Sequence, residues 1–174
     1  MLFEFDGNRP GVGRGTYVSE TAQVIGDVII GENCYVGHGA ILRGDYGRIE
    51  IGSGTAVEEG VIIHAPPGGL NRIGNSVTLG HGAILHGNAV GDFSVIGMGA
   101  ILSIFSETGE WTIVGEGAVV RFNQKLPDRV VVVGNPAIVN REINDRDREL
   151  WTYGKQIYLD LAQKCLEQPM KRIG

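Results

Sequence analysis

Three superimposed patterns in this chain predict a left-handed parallel β-helix. An aliphatic residue recurs every sixth position, a small or β-branched residue stands four places after it, and glycine, asparagine or aspartate often falls between the two. The aliphatic step runs through Val18, Val24, Ile30, Val36 and Leu42, and resumes after a three-residue insertion at Ile51, Val57 and Ile63. A four-residue insertion precedes Ile73, Leu79 and Leu85. One five-residue step then leads to Val90, Ile96, Leu102, Thr108, Val114 and Val120. Four places on lie Ala22, Val28, Cys34, Ala40, Val61, Val77, Ala83, Ala89, Ala100, Thr112 and Ala118. Three places on lie Asp27, Asn33, Gly39, Asp45, Gly54, Gly60, Gly82, Asn88, Gly99, Gly117 and Asn123, types that tolerate positive φ at a corner. Each unit is thus a short strand and a turn. Three units close a triangular coil, and coils stack as parallel strands about 4.8 Å apart. A β-sandwich would instead space its turn signals by roughly 8–12 residues.

The elements follow in order along one domain, residues 1–174. Coils and a last extended stretch, KLPDRVVVVGNPAIVNREI, occupy about 12–140. A solenoid has open ends that need covering. Asn144 is placed to cap a helix over about 144–168, stopped by Pro169. Leu150, Trp151, Tyr153, Ile157, Leu161 and Cys165 recur at helical spacing and are expected to lie along the prism, with Gly154 as a weak point.

Composition narrows the function. The 28 glycines are about twice the usual share, yet the chain has no collagen period and is 43% hydrophobic. A net charge of −5 offers no basic stripe for nucleic acid. No apolar run reaches the ~18 residues of a membrane span, and no signal peptide is visible at MLFEFDGNRP. Cys34 and Cys165 form no CxxC pair, so a reduced, cytoplasmic setting is expected.

The hexapeptide frame also aims the histidines. His64 follows Ile63 and His86 follows Leu85, so both point out from a flat face. The 22 residues between Ile63 and Leu85, less the four-residue insertion, make one full coil, which stacks His86 on His64. Arg43 holds the same column one coil earlier. His38 and His81 belong to a different column, with Glu59 between them. A metal site usually takes three protein ligands, and His81 lies round a corner from the other two. A homotrimer brings the columns together, with His64 and His86 of one subunit facing His81 of the next. The same contact sets Arg43 opposite Glu59.

The runs RGDYGRIEIG, VIIHAPP, IGNSVTLGHGAILHG and IGMGAILS resemble the gamma-class carbonic anhydrase family over nearly the whole chain. The resemblance implies a trimeric left-handed β-helix with zinc, or iron or cobalt, held by three histidines divided between adjacent subunits. His64, His81 and His86 match those ligands. Arg43 and Asp45 match the Arg and Asp of the family's RGD, and Glu59 matches the acidic partner of that arginine. Tyr158 matches a helix tyrosine near the metal. The implied reaction is reversible hydration of carbon dioxide by a metal-bound hydroxide.

Three positions and one loop depart from the family's prototype. Glu58 replaces a glutamine near the metal-bound water, Ala56 an asparagine, and Tyr46 a glutamate. The loop APPGGLNR, residues 65–72, lacks the carboxylate thought to shuttle protons. Glu58 or Tyr158 could take over that proton, or Glu58 could orient the bound water. Two other readings stay open: a metal-binding trimeric scaffold of little or no activity, and a hexapeptide acyltransferase using one histidine as general base.

Overall fold

The computed structural model describes residues 1–171 and 173. Its body is a left-handed parallel β-helix of about seven turns with one helix at the C-terminal end. The first face stacks Tyr17–Val18, Tyr35–Val36, Ala56–Val57, Thr78–Leu79, Val95–Ile96, Ile113–Val114 and Val130–Val133. On the second face, Ile62–His64, Ile84–His86, Ile101–Leu102 and Val119–Val120 stack above the first half of Ile41–Ile51. The third stacks Leu70–Ile73, Ala89–Val90, Glu107–Thr108 and Lys125–Leu126 above its second half. Two long strands, Gln23–Ile30 and Ile41–Ile51, run round the corner between these two faces. Every strand pair is parallel except the last, where Ile138–Glu142 folds back antiparallel on Val130–Val133.

The core is the column of inward residues that the sequence marks. Leu42, Ile63, Leu85 and Leu102 are fully buried on successive rungs, as are Val57, Leu79 and Ile96. Small residues fill the tapering corners: Ala22, Ala40, Val61, Ala83, Ala100 and Ala118 have no appreciable exposure. Short β-branched strands suit this arrangement because each rung turns one side chain per strand into the prism and its neighbours out, although on the first face the outward Tyr35, Ala56, Thr78 and Val95 are buried as well.

Two expectations about the coils are corrected. Asn88 and Ala89 exchange roles: Asn88 is buried and Ala89 faces out. The five-residue step removes one residue from this corner, so Gly87 takes the positive φ of +65° and Asn88 turns inward. A Cβ on Gly87 would stand 2.6 Å from Pro66 Cδ, so the corner needs glycine on two counts. Asp27 and Asp45 also lack positive φ, because the long strands pass through their corners. Conversely Phe93, Phe105 and Trp111 hold positive φ despite their bulk.

The helix α1 (Asp145–Glu167) begins at Asn144, whose side chain accepts from the Asp147 amide while the Asp147 carboxylate accepts from the Asn144 amide. It runs unbroken through Gly154 and covers the first face at Tyr17–Val18, Tyr35–Val36 and Ala56–Val57. Its inward line is not the expected one. Leu150, Tyr153 and Ile157 are exposed, whereas Trp151, Lys155, Tyr158, Leu161, Ala162 and Cys165 turn toward the sheet. Counting apolar residues misplaced this stripe because a lysine lies on it, its stem packed and its amine bonded. None of the helices described is long and apolar enough to cross a membrane.

Candidate metal centre

Strand register builds the first half of the site. His64 pairs with His86 across Ile62–His64 and Ile84–His86, and Arg43 pairs with His64 one rung below. The two imidazoles stack with centroids 4.9 Å apart and planes 18° from parallel. Asp45 reaches back from the corner of Ile41–Ile51 and joins the column from the side. Its Oδ2 accepts from Arg43 Nη1 at 2.5 Å and its Oδ1 lies 3.1 Å from His64 Nε2. Burial pushes the Asp45 carboxyl up, but the bonds from Arg43 and His64 outweigh it and hold it below the usual carboxylate range. Burial, reinforced by His64 and Arg43, lowers the pKa of His86, so this ring stays neutral at neutral pH.

His81 lies round the corner, after Thr78–Leu79, and sits between two carboxylates. Its Nε2 is 3.2 Å from Glu58 Oε2, and its Nδ1 is 2.8 Å from Glu59 Oε2. The Glu58 carboxylate also accepts from the His81 backbone amide at 3.1 Å. Glu59 accepts from the Tyr35 hydroxyl at 2.7 Å. Glu58 is only 5% exposed because α1 covers it, and burial raises its carboxyl above the usual range. For Glu59, the Tyr35 hydroxyl and the two histidines near it outweigh burial, and the carboxyl stays low. Burial raises Tyr158, and Glu58 beside it adds to the rise, so the phenol keeps its proton. Among the described residues of one chain, no group of three or more His, Cys, Asp or Glu side chains is arranged to hold a metal ion. His64 with His86, and His81 with Glu58 and Glu59, are two separate groups within one chain.

A family model described as bacterial transferase hexapeptide (six repeats) matches residues 9–44. Gamma carbonic anhydrase 1, mitochondrial, of Arabidopsis thaliana is 36% identical over 160 residues, covering 88% of this chain. This chain spans only 58% of that relative's length. Carnitine operon protein CaiE of Salmonella agona is 34% identical over 163 residues, covering 94% of this chain and 82% of the relative. The chain belongs to the hexapeptide-repeat family of the gamma carbonic anhydrases and CaiE. Its fold overlays the crystal structure of a hexapeptide transferase family protein from Anaplasma phagocytophilum. That overlay has a TM-score of 0.90 at 28% identity and covers 94% of this chain and 96% of the other.

The donor chemistry suits the divalent metal on which gamma carbonic anhydrases depend. Neutral imidazoles are the commonest metal ligands, and His86 is held neutral while His64 stands parallel to it on the next rung. Of the remaining family positions, Tyr46 is exposed and its carbonyl accepts from the Gly68 amide, so the acid-free 65–72 stretch, which is a loop only as far as residue 69 and then enters the strand Leu70–Ile73, is tied to the RGD corner. The sequence reading missed Lys155. It is 8% exposed, and its Nζ donates to Thr78 Oγ1 and the Ser94 carbonyl at 3.2 Å each. Burial lowers its pKa to about 7, against an opposing pull from Glu58. Its place three residues before Tyr158 on one helix face was the available signal.

Proposed function

We propose that this chain is a metal-dependent carbonic anhydrase-like enzyme that reversibly hydrates carbon dioxide to bicarbonate as a homotrimer. His64 and His86 of one subunit and His81 of the next hold the metal. The observation that carries this reading is the in-register stack of His64 on His86, with the third imidazole on a separate corner of the same prism. A second observation supports the trimer. Ile62, Ile84 and Ile101, each 38–39% exposed, form an outward aliphatic column on the face that carries the histidines. A column of that kind gains from being covered.

Zinc is the metal proposed, with iron or cobalt as alternatives, and a dication on neutral imidazoles supplies Lewis-acid activation of water near neutral pH. The chain's own groups do the rest. Arg43 keeps Asp45 ionised beside His64, where the carboxylate engages that imidazole within the single chain. Glu58, buried and raised, is the group able to take or hold a proton near His81, and Tyr158 keeps it in place from the helix. Glu59 faces Arg43 of the adjacent subunit in the proposed trimer. The 65–72 loop holds no carboxylate, so proton release to solvent is the slow step. A reducing compartment such as the cytoplasm suits the two buried, unpaired cysteines.

The test is metal analysis of protein purified without air, joined to stopped-flow hydration on the same sample. Stoichiometric metal with hydration above background supports the reading. A metal-replete trimer with no hydration at any buffer concentration overturns it and leaves a metal-binding scaffold. Acetyl transfer from acetyl-coenzyme A by that sample would favour the transferase reading, which the family model's description brings in.

A further inference from the structure

The inward column behind the histidines changes character where the histidines begin. Val28, Ile49, Asn71 and Asn88 occupy it on successive rungs: Val28 pairs with Ile49, Ile49 with Asn71, and the neighbouring Arg72–Ala89 pair places Asn88 next. On the two rungs that carry Ile25 and Arg43 the residue is aliphatic. On the two that carry His64 and His86 it is asparagine. We propose that Asn71 and Asn88 are positioning residues for the histidine column, an internal amide pair that fixes the corner from which His64 and His86 project. This rests on the metal-centre reading above.

Hydrogen bonding shows what the amides hold. Asn71 is fully buried, and its Nδ2 donates to the backbone carbonyl of His64 at 3.3 Å. That same carbonyl accepts from the Gly87 amide at 2.9 Å, directly after His86, so one acceptor ties both histidine corners together. Asn88 donates to the Ser103 carbonyl and to Ser106 Oγ, each at 2.7 Å, and clamps the His86 rung to the coil above. Both side chains leave their buried Oδ1 atoms without a partner. An orphaned acceptor in a core costs stability, and an aliphatic residue of the same size would not carry that cost. The column already accepts Val28 and Ile49, so packing alone does not call for an amide. The donor to the His64 carbonyl is what valine or isoleucine cannot supply. Residues that orient ligands from behind commonly govern metal affinity about ten- to a hundredfold.

The experiment compares wild type with Asn71→Leu and with Asn71→Leu/Asn88→Val, using His64→Ala to define the site. Zn2+ affinity is read by competition with a chromophoric chelator, alongside the thermal midpoint and sedimentation mass. Neither substitution strands a carbonyl, since Gly87 still serves His64 and the Ser106 amide still serves Ser103, but Asn88→Val takes the donor from the buried Ser106 hydroxyl, so stability is compared on Asn71→Leu. The expected result is an intact trimer with Zn2+ binding weaker by about tenfold or more in both variants, and a thermal midpoint equal to or above wild type in Asn71→Leu. Unchanged affinity in Asn71→Leu overturns the inference. So does a parallel fall of affinity and thermal midpoint, which would make the amides merely structural. Wild type that binds no Zn2+, or binds it equally well with His64→Ala, refutes the metal-centre reading itself and the inference with it.

Discussion

The proposed division of the metal ligands between subunits has a numerical consequence in mixed trimers. Consider His81→Ala and His64→Ala, each of which damages every site in its own homotrimer. In the proposed ring of three, each site draws His64 and His86 from one subunit and His81 from the next. Any trimer containing both variants has one place where a subunit with His64 is followed by a subunit with His81. One site in three is then whole. Random exchange of equal amounts gives about three quarters mixed trimers, so about one quarter of all sites recover. The assay is tight Zn2+ binding, with subunit exchange followed by native mass spectrometry. Recovery near one quarter supports the shared site. Full exchange without recovery, or His81→Ala that binds Zn2+ like wild type, refutes the reasoning. The structure favours this test because both alanines remove partly exposed side chains, and the buried leucines and isoleucines of both rungs stay intact.

Three further outcomes follow from particular contacts. With no carboxylate in the 65–72 loop, small buffers should raise kcat for hydration to a plateau and leave kcat/KM unchanged; stopped-flow rates independent of imidazole concentration would contradict this. Leu85→Ala, emptying a fully buried site directly behind the His86 rung, should cost about 2–5 kcal/mol in urea unfolding at fixed protein concentration, and a loss under about 1 kcal/mol would mean the rung collapses around the gap. Lys155 has a folded pKa of about 7 against an ordinary 10.5, so the unfolded chain binds more protons between those values and wild-type stability should rise with pH across that window. Lys155→Met should flatten that slope in melts taken between about pH 6 and about pH 10, and an unchanged slope would mean the amine is not held neutral.

The solenoid was legible in the sequence because its inward positions obey a steric rule with a fixed period. Leu42, Ile63 and Leu85 could be placed on one column by subtraction alone, and so could the outward Arg43, His64 and His86 beside them. The rule failed where local geometry overrides the count. The short step between Leu85 and Val90 transfers the corner to Gly87, which no period announces. Phe93 and Trp111 hold positive φ, a strained choice for large side chains. Their rings stack at 5.0 Å, and the Arg148 guanidinium stands 5.8 Å over Trp111, so the start of α1 rests on these corners. That compensation comes from residues some forty positions apart and leaves no trace in the repeat.

The site was legible in its columns and hidden in its carboxylates. Spacing assigned Glu59 and His81 to one column, but not the contact of His81 with a buried Glu58, which depends on how α1 closes over the first face. Nor did it show Asp45 against His64, because Gly44 and the long strand carry Asp45 round the corner. These contacts bear on assembly. Within a single chain His64 is engaged by Asp45, and His81 by Glu58 and Glu59, so each half of the donor set has a carboxylate partner of its own. In the proposed trimer, the metal must compete with those contacts, and it gains three imidazoles only where two subunits meet. Loading and assembly then form one linked equilibrium, in which metal at a hundredfold over its dissociation constant adds about 2.7 kcal/mol per site to the assembled state. On that reading the carboxylates hold each half of the donor set in place before assembly, and the interface, where three imidazoles would meet, is the place where binding is strongest.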